Sequence, residues 1–169
     1  MAKDIRHSFT KAVGVTGRND DGTDRQEILA RCVPAETLTL EYEEDNPHDS
    51  NAVRLIRKTT AEQVGYLPAA RAGGVVRGTA KGKKYAVFIR DVVGGFEGAE
   101  TLGLRLLMVV AEPGVSDEAV QVYVNDLDIN FGYKYLKREE LEQVPEQGKG
   151  CLTMIAVLAL AAAGLFAVL

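Results

Sequence analysis

Four consecutive pieces decide the architecture: Thr37-Leu38-Thr39-Leu40-Glu41-Tyr42, then Asp45-Asn46-Pro47-His48-Asp49-Ser50-Asn51, then Ala52-Val53-Arg54-Leu55-Ile56, and after a second turn Val64-Gly65-Tyr66-Leu67-Pro68. In the first, Leu38, Leu40 and Tyr42 share one side and Thr37, Thr39 and Glu41 the other, the period of a half-buried strand. The second consists of turn formers. Proline fixes φ behind an asparagine whose side chain can close an Asx turn. The third and fourth are extended again, and Pro68 stops the last.

Working outward, Val13 and Val15 alternate with Ala12 and Gly14 and predict a first strand, ending in the Gly- and Asp-rich stretch Gly17 to Asp24. Asp24 is placed to cap a helix whose apolar side is Ile28, Leu29 and Cys32, with Cys32 as a small core residue, until Pro34 ends it. The Pro68 to Gly74 stretch predicts one or two helical turns broken at Gly73-Gly74. Two longer strands follow, Tyr85 to Val93 and Thr101 to Ala111, the latter with Leu102, Leu104, Leu106, Met108 and Val110 on one face. Five or six short strands with two short helices, and no regular strand–helix alternation, imply a mainly β, α+β fold: a small barrel or curled sheet. Val115 to Val124 fits helix or strand.

Charge divides the chain. Residues 1–112 hold 16 Lys+Arg and 16 Asp+Glu, whereas residues 113–150 hold 4 and 8, so the whole net charge of −4 sits in the second stretch, which reads as an acidic juxtamembrane spacer. Arg71, Arg77, Lys81, Lys83, Lys84 and Arg90 fall in an acid-free run from 71 to 90, a stripe able to attract phosphate or simply to solvate a face. The run Cys151 to Leu169 carries no charge and has no amphipathic side. As a helix it spans roughly 28 Å, the thickness of a bilayer core. Lys134, Lys137, Arg138 and Lys149 precede it, and the positive-inside rule then places the N-terminal domain in the cytosol, as in a tail-anchored, single-pass protein. Ala159, Ala163 and Ala167 form a small-residue line through which two such helices could form a homodimer.

The motifs resemble one family. Arg25-Gln26 before a helix, Leu38-Thr39-Leu40, the Asp45 to Val53 turn and Gln63-Val64-Gly65-Tyr66-Leu67-Pro68 are similar, in order and spacing, to the HIRAN domain, over roughly residues 6–112. HIRAN domains resemble OB folds, and the best understood bind single-stranded DNA at its 3′ end. The resemblance implies an OB-like barrel in which Asp49 accepts a bond from the 3′-hydroxyl, His48 stacks on a base, Arg25 meets the backbone and Tyr66 lines the pocket. A carboxylate there would favour a hydroxyl and repel a phosphate. Two positions depart from the pattern: His48 stands where tyrosine is usual, and Gln26 where helicase-linked members carry an aromatic. Arg71, Lys83 and Lys84 are the further candidates for nucleic-acid contact.

Cofactor and metal chemistry are not expected. His7, Cys32, His48 and Cys151 lack zinc-ligand spacing, and Gly78 to Lys84 lacks the hydroxyl residue of a phosphate-binding loop. No nucleophile–base pair is recognisable, so a binding module is favoured over an enzyme. The alternative is a membrane-anchored interaction or scaffold module that keeps the fold without binding DNA.

Overall fold

The computed structural model describes residues 4–131, with side chains to residue 127. Six strands, β1 (Ile5–Lys11), β2 (Thr37–Tyr42), β3 (Val53–Arg57), β4 (Gln63–Tyr66), β5 (Lys84–Val93) and β6 (Gly103–Ala111), form one antiparallel sheet in the order β1-β6-β5-β2-β3-β4. Three helices accompany them: α1 (Arg25–Leu29), α2 (Ala69–Ala80) and α3 (Asp117–Phe131). The sheet curls until its ends meet. Just past β1, Val13 and the edge residue Tyr66 exchange two backbone hydrogen bonds of 2.9 Å, closing a seam between the first and last strands in the order.

That seam corrects the reading of the N-terminus. The first strand is Ile5–Lys11, paired along its whole length with β6, and Val13 belongs to the seam. The apolar alternation at Val13 and Val15 is genuine, but it serves closure: Gly65 lies so near that a Cβ there would stand 2.6 Å from the Val13 carbonyl oxygen.

Inside the curl, Ile28 and Leu29 of α1 and Ala72 and Val75 of α2 pack with Leu38, Leu55, Val64, Val87, Leu104 and Leu106. Asp24 caps α1 by accepting the Gln26 N–H at 2.9 Å. Cys32 is buried in this core, and burial pushes its thiol up to about 11, the state of an inert packing residue. α2 runs through Gly73-Gly74 without breaking. Two of its three glycines meet close neighbours: a Cβ at Gly78 would stand 1.9 Å from the Tyr85 hydroxyl, and one at Gly73 3.2 Å from an Arg77 nitrogen, while Gly74 faces open space. Tertiary packing therefore overrides the low helix propensity of glycine.

The opposite face of β6 is buried as well. Leu107 and Val109, with Ile5 and Phe88, are covered by Val124 and Leu127 of α3, so Val115 to Val124 resolves as the approach to a helix and its first turns. Each such side chain contributes about 1.5–3 kcal/mol as an upper figure. The helix lies within the stretch 113–150 that charge marks as acidic, yet its apolar side is part of the fold. The run Cys151 to Leu169 and the homodimer line Ala159, Ala163 and Ala167 lie outside the described residues. Among the described residues no helix is long and apolar enough to cross a membrane.

Candidate nucleic-acid interface

The site is built at the seam. Arg25 opens α1 and turns its side chain back toward the loop before it: Nε donates to Asn19 Oδ1 at 2.7 Å and Nη1 to the Gly14 carbonyl at 2.8 Å. The guanidinium lies 5.1 Å from the centre of the Tyr66 ring, a cation–π contact. Arg25 is only 7% exposed, and among the described residues its Nη2 group makes no hydrogen bond. Gly14 adopts φ +65°, and a Cβ there would stand 3.3 Å from the Tyr66 ring, so the loop lies flat against the ring–guanidinium pair.

The turn between β2 and β3 joins the same site through a chain of polar contacts. Asn46 Oδ1 accepts the backbone N–H groups of His48 (2.9 Å) and Asp49 (3.0 Å), the Asx turn that Asn-Pro favours. Asp49 Oδ1 accepts the Asn51 N–H at 2.9 Å, and among the described residues its second oxygen has no partner. His48 is exposed. Asn46 Nδ2 donates to Glu43 at 2.8 Å, and Glu43 also pairs with Arg54. The Arg54 guanidinium, with help from the Asn46 amide and the Tyr66 hydroxyl, holds the Glu43 carboxyl down to about 2. Glu43 is thus the hub that ties the turn carrying His48 and Asp49 to Tyr66, which already touches Arg25.

The basic stretch does not form one stripe. Arg71, on the first turn of α2, donates to the Phe9 carbonyl at 3.4 Å, beside β1. Lys83 pairs with Glu112 and Lys84 with Asp117, each at 2.6 Å, at the end of the sheet where α3 begins. No described contact joins these lysines to Arg25 or Tyr66. Linear proximity from 71 to 90 is divided between a helix and a strand, and the partners come from far along the chain.

Glu43, Asn19 and Gln26 are site residues that the sequence did not single out for these roles. Gln26 accepts the Leu102 N–H at 2.7 Å and donates to the carbonyls of Leu102 (3.0 Å) and Val15 (2.9 Å), stapling the site loop to β6. This explains why a glutamine suits the position: its carboxamide carries complementary donor and acceptor groups for the backbone. Among the described residues no group of three or more His, Cys, Asp or Glu is arranged to hold a metal ion.

Against protein families, residues 8–86 match the HIRAN domain. This segment is a HIRAN domain. The match takes in Arg25, the turn and Tyr66, and ends inside β5, although the fold continues because β6 pairs with both β1 and β5. Two solved structures are similar. The crystal structure of the HIRAN domain of human HLTF is 17% identical, with 76% of this chain and 94% of that chain covered and a TM-score of 0.48. The crystal structure of a protein from Lactobacillus plantarum is 17% identical, with 62% and 97% covered and a TM-score of 0.45. No curated protein sequence matches the chain. Within this HIRAN domain, Glu43 contacts Asn46 of the turn, Arg54 and Tyr66 of the seam, while Lys83 and Lys84 pair with Glu112 and Asp117.

Proposed function

We propose that this HIRAN domain binds single-stranded DNA at a 3′ end, without catalysis, and that Cys151 to Leu169 tethers it to a membrane with the domain on the cytosolic side. The observation that carries the reading is the Arg25–Tyr66 pair set beside a turn that presents one unbonded carboxylate oxygen of Asp49. Arg25 is fixed by two hydrogen bonds and keeps Nη2 for a phosphate. Tyr66 offers a ring already polarised by a cation. Asp49 can accept from a terminal hydroxyl and would repel a terminal phosphate. His48 is exposed on the same turn, and in this reading it stacks on a base.

Titrating the full chain in detergent with oligonucleotides ending in 3′-hydroxyl or 3′-phosphate tests this. Tighter binding of the hydroxyl end supports it. Equal affinity removes Asp49 from the role, and no binding at low salt ends the nucleic-acid reading. The scaffold reading then takes its place, favoured by the pairing of Lys83 and Lys84 with carboxylates. For the tether, ending the chain after Gly150 should move it from the membrane to the soluble fraction. Persistence in the membrane contradicts the anchor.

A further inference from the structure

A second surface adjoins the seam. Phe9, on β1, is 39% exposed although large and apolar. The Arg90 guanidinium lies 4.8 Å from its ring centre, and Arg71 donates to its carbonyl. Lys11, two residues on, stands directly opposite Arg105 of β6. Phe9, Lys11, Arg71 and Arg105 border an open groove of about 550 Å³ between β1, the start of β6 and the first turn of α2, with Pro68, Ala70 and Val93 completing its walls. Asp91 pairs with Arg90 at 3.4 Å and lies opposite Arg105. Among the described residues Lys11, Arg71 and Arg105 have no carboxylate within 4.0 Å, in contrast with Arg54, Arg57, Lys83 and Lys84. The groove leads to the site along both walls: β1 continues through Ala12 to Val13, the seam partner of Tyr66, and Pro68 is two residues past Tyr66.

We infer that this groove is a track for the nucleic-acid strand behind its 3′ end, with Lys11, Arg71 and Arg105 neutralising phosphates and Phe9 supplying a stacking platform. The inference rests on the end-binding reading and extends it. A cationic groove with one exposed aromatic suits single strands, whose bases can leave the stack and lie on a ring without sequence readout. An apolar partner would leave three cations desolvated without partners, which the charge of a phosphodiester chain offsets.

The test compares a 3′-hydroxyl trinucleotide with a dodecanucleotide of the same 3′ sequence, using the full chain in detergent and the Lys11→Gln/Arg105→Gln and Phe9→Ala variants. For the native chain the dodecanucleotide should bind tighter and with a steeper salt dependence. The double variant should lower that slope by about 1.4, two phosphates at about 0.7 each. Phe9→Ala should weaken the dodecanucleotide about fivefold or more. Trinucleotide affinity should hold in both, and its persistence also shows that the variants fold. A native chain that binds both lengths equally, or a double variant that keeps the full slope, overturns the track while leaving end binding intact. A dodecanucleotide bound through these residues with no affinity for the trinucleotide supports the track and sinks the end site. Loss of binding to phosphatidylserine vesicles in the double variant, with its oligonucleotide slope unchanged, assigns the groove to a lipid surface instead and overturns the track.

Discussion

Strand β3 carries two arginines three residues apart, each with carboxylate partners, and they behave differently. Arg57 donates from each of its three side-chain nitrogens: Nε and Nη2 to Glu36 (2.6 and 3.2 Å), Nη1 to Glu62 (2.9 Å) and Nη2 also to the Arg31 carbonyl (3.3 Å). Its side chain and that of Glu36 are 9% and 6% exposed. Arg54 pairs with Glu43 and, at 3.7 Å, with the exposed Asp20, and among the described residues its buried Nε has no partner. The first network is saturated and locks β3 to the segments at Arg31, Glu36 and Glu62. The second is incomplete and sits beside the turn and Tyr66. Similar charges on one strand thus serve rigidity at one end and presentation at the other.

The largest effect expected is from Arg57→Ala. It strands Glu36 as a buried unpaired charge, so urea denaturation should show a loss of about 3–5 kcal/mol, while any ligand binding persists in the folded fraction. Arg54→Ala should cost less, about 1–2 kcal/mol, because Asp20 is already solvated. It should nevertheless remove oligonucleotide binding, since Glu43 then loses its chief partner and the Asn46 turn its support. A reversal of that order, with Arg54 the larger contributor to stability, would break the comparison.

Acid sharpens it. Glu43 titrates at about 2 when folded against 4.5 ordinarily, because Arg54 and its neighbours stabilise the carboxylate. A depressed acid contributes stability that is present above the unfolded value and lost as pH falls through the folded one. Unfolding free energy should therefore drop between pH 4.5 and 2, and Glu43→Gln should be weaker at pH 6 but flatter across that window. An identical acid slope in both proteins would show that Glu43 does not tie the turn. The smallest change is expected from Lys84→Gln. Its partner Asp117 is largely solvated, and the shift should stay below about 0.5 kcal/mol.

What was legible follows from where the information resides. The period of Leu104, Leu106, Met108 and Val110 shows one face of β6, but Leu107 and Val109 on the other are also buried, beneath a helix that charge alone makes look like a spacer. Strand β1 escaped notice because His7 and Lys11 occupy the same side as Ile5 and Phe9. Local turn chemistry was readable at Asn46, whose bonds all stay within three residues of it. Gln26 was not, since its partner Leu102 lies 76 residues away. Helix α2 passes through Gly73 and Gly74 because the burial of Ala72 and Val75 in the core, rather than local propensity, decides its course.

The seam has a consequence for folding. Val13 and Tyr66 are 53 positions apart, and their pairing brings the Tyr66 ring to Arg25. The recognition surface therefore depends on a non-local closure, the kind of contact whose loop entropy slows folding. If a strand binds at the proposed site, the ligand should hold that closure shut, and the amides of Val13 and Tyr66, which cross it, are where protection from hydrogen exchange should rise most.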